Sequence, residues 1–160
     1  MSELTEMLGL AGEYAVAAEL CRRGAYCQLT FGNKKKTDLL VDTGKDKDGL
    51  FRVSVKAKRG RVWPKISGIW QSGDLIVFVD YSGKEINKDD FLPPDFYVLD
   101  VHAWKSVVAS IQKKNNDSRA KIDSENTLYW PVSGSGEKGW KGCSVLVEDV
   151  CNYKNAWPKF

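Results

Sequence analysis

The sequence predicts an α+β domain in which a mixed central sheet is flanked by helices. Three observations carry that expectation. Apolar residues recur at intervals of three and four through Thr5–Arg23. Short runs of β-forming residues follow between Ala25 and Arg59. A continuous β-branched and aromatic run, Leu75-Ile76-Val77-Phe78-Val79, then precedes a second helical stripe that starts at Val101. The expected order is αβββ, then ββα, then a C-terminal tail. The 160 residues suit one domain over 1–160, with a core at about 5–114 and an extension at 115–160.

The first helix, Thr5–Arg23, sets Leu4, Leu8, Ala11, Ala15 and Ala18 at helical spacing, widened by Met7, Tyr14 and Cys21. Ser2 or Thr5 is its candidate cap, and Arg22-Arg23-Gly24 is a stop signal. Ala25–Phe31 reads as a strand. Thr37–Val41 opens a second strand on Asp38, and Leu50–Arg59 alternates around Val53 and Val55. The polar, glycine-bounded stretch Gly44–Gly49 joins these two as a hairpin loop. Strand side chains alternate, so Ser54 and Lys56 share one face and Val53 and Val55 the other, and an antiparallel neighbour can bring Asp38 beside the first pair. Gly60–Gly73 reads as mostly irregular, Asp74–Asp80 and Asp95–Asp100 as strands, and Val101–Lys114 as a helix capped by Asp100. Thr127–Val132 is a candidate short strand, Ser133–Gly142 a loop, and Ser144–Tyr153 a closing helix.

Net charge is +3, too small to prove a polyanionic partner, but its distribution is uneven. Between Gly32 and Lys65, eleven lysines and arginines against four aspartates leave +7, the local excess that phosphate binding needs. The four cysteines show no Cys-x-x-Cys spacing and have no histidine nearby, which argues against zinc and for buried, reduced thiols. No apolar run approaches the roughly 20 residues of a membrane helix. The acidic start, Met1 to Glu6, lacks the basic and apolar blocks of a secretory signal, so a cytoplasmic protein is expected. His102 is the single histidine and has no serine or cysteine signature beside it.

Glu13 on the first helix, Asp38 at a strand start and Ser54-Val55-Lys56 on the next strand resemble the PD-(D/E)XK nuclease superfamily. Gly12-Glu13-Tyr14-Ala15-Val16 and Glu19 to Gly24 look like the opening helix of its small members, which include resolvases and restriction-type enzymes. Thr37-Asp38-Leu39-Leu40-Val41 looks like the strand of the first metal-binding aspartate, and Val53-Ser54-Val55-Lys56 like the strand of the acid-x-lysine pair. The likeness covers roughly Leu8–Gln112 and departs from the pattern at two positions. Thr37 replaces a frequent proline, and Ser54 stands where a second acid belongs.

The resemblance implies a restriction-endonuclease-like core and hydrolysis of phosphodiester bonds in a nucleic acid, DNA being the expected partner. It implies Mg²⁺ or Mn²⁺ on Asp38 and Glu13, with Lys56 orienting water or offsetting charge and Ser54 holding a metal-bound water. Lys34, Lys35, Lys36, Lys58, Arg59 and Arg61 would bind flanking phosphates. Trp63 and Trp70 are candidates for base stacking or for the core. A homodimer is compatible with the family. Since a hydroxyl is a poor ligand for a hard cation, the alternative is a nuclease fold that binds nucleic acid or a protein without cleaving.

Overall fold

Ser2 and Gly24 bracket the first helix. The Ser2 hydroxyl accepts from the Thr5 amide, Glu3 and Glu6 occupy the first turn of α1 (Glu3–Arg22), and Gly24 leaves it at φ +94°. Acids at the start and Arg22 at the end suit the helix dipole. The computed structural model describes residues 2–30, 37–45 and 49–160. After α1 come β1 (Tyr26–Leu29), β2 (Leu39–Asp42), β3 (Leu50–Lys58), β4 (Trp63–Ile66), β5 (Leu75–Asp80) and β6 (Asp95–Asp100). Then follow α2 (Val101–Lys114), β7 (Lys121–Ile122), β8 (Leu128–Pro131), β9 (Lys138–Lys141), β10 (Cys143–Val145), α3 (Val147–Val150) and a 3₁₀ turn at Cys151–Tyr153.

The main sheet has five strands in the order β1-β2-β3-β5-β6. It is mixed: β3 and β5 run parallel, and the other neighbours are antiparallel. Alternation along β3 divides the interior in two. Val53 and Val55, with Val77 and Val79 of β5, face α1 and pack with Val16, Leu20, Leu39 and Val41. Ile76, Phe78 and Leu99 face the other way and pack with Trp63, Trp104, Val107, Leu128 and Val150. Every residue of β5 is therefore buried, as its unbroken apolar run requires. Two charge pairs lock β3 to β5 at both ends. Arg52 donates to both carboxylate oxygens of Asp74, and Lys58 Nζ lies 2.8 Å from Asp80 Oδ1.

The expected α+β class and mixed sheet are observed, with α2 over the expected residues and Asp100 capping it at 2.8 Å from the Ala103 amide. The region beyond α2 differs from expectation. The segment taken as irregular contains β4, which pairs with β10 from near the C-terminus. Ser133–Gly142 contains β9, joined to β8. The expected closing helix is a strand followed by one helical turn. Asp149 accepts from the Leu146 amide at 2.9 Å, which starts that turn only after Val145 is committed to β10. The thiols are all free, but only Cys143 is buried; Cys21 and Cys151 are exposed and Cys27 is half-buried. Burial pushes the Cys143 thiol up to about 12. No helix among the described residues is long and apolar enough to cross a membrane.

Two glycines of α1 separate the helix from its contact with the sheet. A Cβ on Gly12 would sit 2.9 Å from Ala57 Cβ, whereas one on Gly9 meets nothing within 4 Å. Gly12→Ala is expected to cost about 1–3 kcal/mol through overpacking. Gly9→Ala is expected to add about 0.5–1 kcal/mol through helix propensity. Urea denaturation of the two variants checks this; equal shifts of one sign would mean that α1 does not dock through Gly12.

Candidate functional site

The pairing of β2 with β3 stops short of the end of β3. The last ladder partners are Leu39 and Val53, and beyond them the Asp38 amide donates to the Val53 carbonyl at 2.9 Å. Among the described residues no strand continues along the outer edge of β3 past this point. Asp38 ends the ladder with its side chain. The Val55 amide, which a longer β2 would have satisfied, donates to Asp38 Oδ2 at 2.6 Å. Ser54 Oγ donates to the same oxygen over a long 3.4 Å, and Lys56 Nζ lies 3.9 Å from it.

Ser54 and Lys56 share a face, as alternation predicts, but that face is the one of Ile76 and Phe78. Glu13 arrives from the opposite layer. Its neighbour Gly12 lies against Val55 and Ala57, and Glu13 is half-buried where α1 crosses β3. Burial, and then the nearby Asp38 carboxylate, raise the Glu13 carboxyl above its ordinary range, while Lys56 draws it down. The four residues thus gather around the open edge of β3 rather than on one sheet surface. A groove of about 620 Å³ runs beside this edge, walled by Thr5, Leu8 and Gly9 of α1, by Ser54–Ala57, and by β4.

The donor set can be tested against a hard divalent cation. Asp38 and Glu13 bring two carboxyl groups to this edge, and a cation between them would favour the ionised Glu13 that burial, and then the Asp38 charge, disfavour. Among the described residues no group of three or more Asp, Glu, His or Cys side chains converges. Ser54 supplies a hydroxyl where a third carboxylate would sit. At most two carboxyl groups, Asp38 and Glu13, could reach such an ion among the described residues, so the set forms no all-protein cage.

The expected phosphate-binding residues divide. Lys34, Lys35 and Lys36 lie outside the described residues. Arg59 and Arg61 are exposed, and Arg59 Nη1 is 3.8 Å from Glu85. Lys58 is a correction: it is 5% exposed and turned inward. Its ammonium pairs with Asp80, donates to Gly60 O and Ser82 Oγ, and lies 4.5 Å from the centroid of the Trp63 ring. Asp80 is held below its usual range because hydrogen bonds from Lys58 and Ser82 outweigh the upward push of burial. The signal for this lay in Asp80, which the parallel register sets opposite Lys58. Trp63 is also a core residue, 1% exposed and donating from Nε1 to Val79 O, and Trp70 is half-buried.

A second cleft of about 550 Å³ lies between the C-terminal tail and the start of α2. Its lining is mainly apolar, and its carboxylate, Asp100, is engaged in capping α2. His102 and Ser106 line it as well, and the Ser106 hydroxyl turns back to donate to the His102 carbonyl of its own helix.

The chain matches no family model, and no curated protein or solved structure is significantly similar to it.

Two stability predictions follow from the charges. Glu13 is raised in the fold, so the folded state binds more protons than the unfolded chain between the ordinary value of 4.5 and the raised one. Its ionisation therefore costs stability as pH rises through that window. Glu13→Gln is expected to melt higher than the parent at pH 7, with the gain vanishing below pH 4.5; an unchanged or lower Tm at pH 7 would contradict the burial of this carboxyl. Lys58→Ala leaves Asp80 buried and unpaired and is expected to cost about 3–5 kcal/mol in urea denaturation. A loss below about 0.5 kcal/mol would return Lys58 to the exposed cations.

Proposed function

We propose that the chain is a metal-dependent nuclease that hydrolyses phosphodiester bonds in DNA, with its centre at the open edge of β3. The observation that carries this reading is the meeting of three groups there. The Asp38 carboxylate is fixed by the Val55 amide, Lys56 Nζ stands 3.9 Å away, and the Glu13 carboxyl, raised first by burial, is raised further by Asp38 and drawn down by Lys56. A carboxylate pair beside an ammonium suits a substrate that brings both anionic oxygens and a counter-cation.

Asp38 and Glu13 would hold Mg²⁺ or Mn²⁺, which when bound polarises a phosphate and acidifies a coordinated water. The chain's own groups do the rest. Lys56 places a positive charge where a pentavalent phosphate accumulates negative charge, and its partner Asp38 keeps it aimed along the edge. Ser54, buried and donating to Asp38, fixes the rotamer of that carboxylate. Arg59 and Arg61 are exposed just beyond β3, where phosphates flanking the scissile bond would pass. The groove beside Lys56 gives the nucleic acid a path along α1 and β4.

The second reading is a nuclease fold that binds without cutting, favoured by the hydroxyl of Ser54 at the acid position and the absence of a third ligand among the described residues. One assay separates them. Plasmid DNA is incubated with the protein and Mn²⁺ or Mg²⁺, alongside Asp38→Ala and Lys56→Ala. Hydrolysis predicts metal-dependent nicking that falls at least about 100-fold in both variants while their melting transitions survive. Cleavage at the parental rate by both variants would contradict the assignment. Retention of DNA that weakens with salt, with no metal-dependent product, would establish the binding reading.

A further inference from the structure

The side of α1 that faces away from the sheet carries exposed apolar residues. A helix docked on a sheet needs one apolar side, and α1 provides it with Gly12, Val16, Ala17 and Leu20. Its opposite side is apolar as well. Leu4, Met7, Ala11, Tyr14, Ala18 and Cys21 are all exposed and recur at intervals of three, four, three, four and three. That is the seam spacing of a two-stranded coiled coil, on the side where an ordinary surface helix is charged. Leu4 is 72% exposed, Met7 52% and Tyr14 57%.

The order of side-chain sizes along this seam indicates what covers it. Laid antiparallel on a second copy about a twofold axis between Ala11 and Tyr14, the seam brings Leu4 opposite the partner's Cys21. Met7 then meets the partner's Ala18, and Tyr14 the partner's Ala11. Every large residue meets a small one, and the match holds with a single register. A groove of about 590 Å³ beside Leu4, Met7 and Ala11, walled on its far side by Tyr81 and Phe91, gives the partner's Tyr14 ring a place to enter.

Charge agrees in part with the same orientation. The antiparallel arrangement sets Glu3 level with the partner's Arg22, which Glu19 of its own helix also pairs, and sets Glu6 level with the partner's Glu19. It also opposes the two helix dipoles. A parallel pair would set Glu3 and Glu6 beside their own copies and large residues against large ones. We propose that α1 forms an isologous antiparallel contact with α1 of a second copy, making the protein a homodimer through the side of the helix opposite the sheet. The contact leaves Glu13, which faces β3, and Gly9 outside the seam, while Thr5 and Leu8 border both grooves and Arg59 borders the one the partner enters. The proposal does not depend on the hydrolytic reading.

Sedimentation equilibrium of the full chain at about 100 µM tests it, a range in which even a weak specific dimer is populated. The expected mass is twice 17.9 kDa. Met7→Glu combined with Tyr14→Glu is expected to give the monomer mass with unchanged far-ultraviolet circular dichroism and a cooperative melt that no longer depends on protein concentration, because both side chains are exposed in the single chain. Leu4→Cys, oxidised mildly and digested, is expected to join position 4 of one chain to Cys21 of the other. A wild-type monomer at that concentration, a dimer that the double variant does not dissociate, or cross-linking of Cys21 only to its own copy would each overturn the proposal.

Discussion

The candidate site depends on one hydrogen bond, from the Val55 amide to Asp38 Oδ2. An edge strand must satisfy its outward amides, and β3 loses its neighbour midway along its length. A half-buried carboxylate just before β2 meets that need and is held there beside Ser54 and Lys56, which line the groove. The same contact ends the ladder, orients the acid and leaves Lys56 unblocked by a strand. An amide in its place would meet the first requirement but bring no charge to Lys56 or Glu13.

The rest of the fold keeps this edge fixed. Arg52–Asp74 and Lys58–Asp80 tie both ends of β3 to β5 with charge pairs whose partners are largely out of water. Parallel pairing alone specifies register weakly between two apolar strands, and such pairs penalise a slip because it would strand a buried charge. Above and below, the two cores press on opposite sides of β3, so Ser54–Lys56 has little freedom to tilt. Gly12 lets α1 approach Ala57 closely enough for Glu13 to share the electrostatics of Asp38 and Lys56. The site is built from two layers at a strand edge, with Glu13 on α1, Lys56 on β3 and Asp38 in the bend that leads into β2.

Much of this was legible in the amino-acid order. The period of α2, the caps Ser2 and Asp100, and the unbroken run of β5 are local signals that tertiary structure left alone, whereas the stripe read for α1 named its outward Leu4, Ala11 and Ala18, and Gly12, Val16, Ala17 and Leu20 face the sheet instead. Alternation along β3 correctly set Ser54 and Lys56 on one face. It could not tell that the face is the inner one carrying Phe78, or that Glu13 reaches the group around the edge from the other side. The burial of Lys58 depends on Asp80, 22 residues away and set opposite by a parallel crossover. The strand β4 was hidden because it is short, contains Pro64, and turns through Lys65 at φ 52°; its partner β10 lies about 80 positions on. The strand β9 is exposed at every position, so no alternation marked it. The outward seam of α1 was visible as widening of an apolar stripe, but its separation from the buried face required the sheet.

Paramagnetic Mn²⁺ titration, followed in amide ¹H–¹⁵N spectra, tests most directly whether this strand edge is a cation-binding centre. The account predicts that substoichiometric Mn²⁺ broadens the amides of Glu13, Asp38 and Val55 first, together, and not in Asp38→Asn. Broadening that begins elsewhere, as on the exposed Asp89–Asp90 turn, or that is unchanged in that variant, would contradict it.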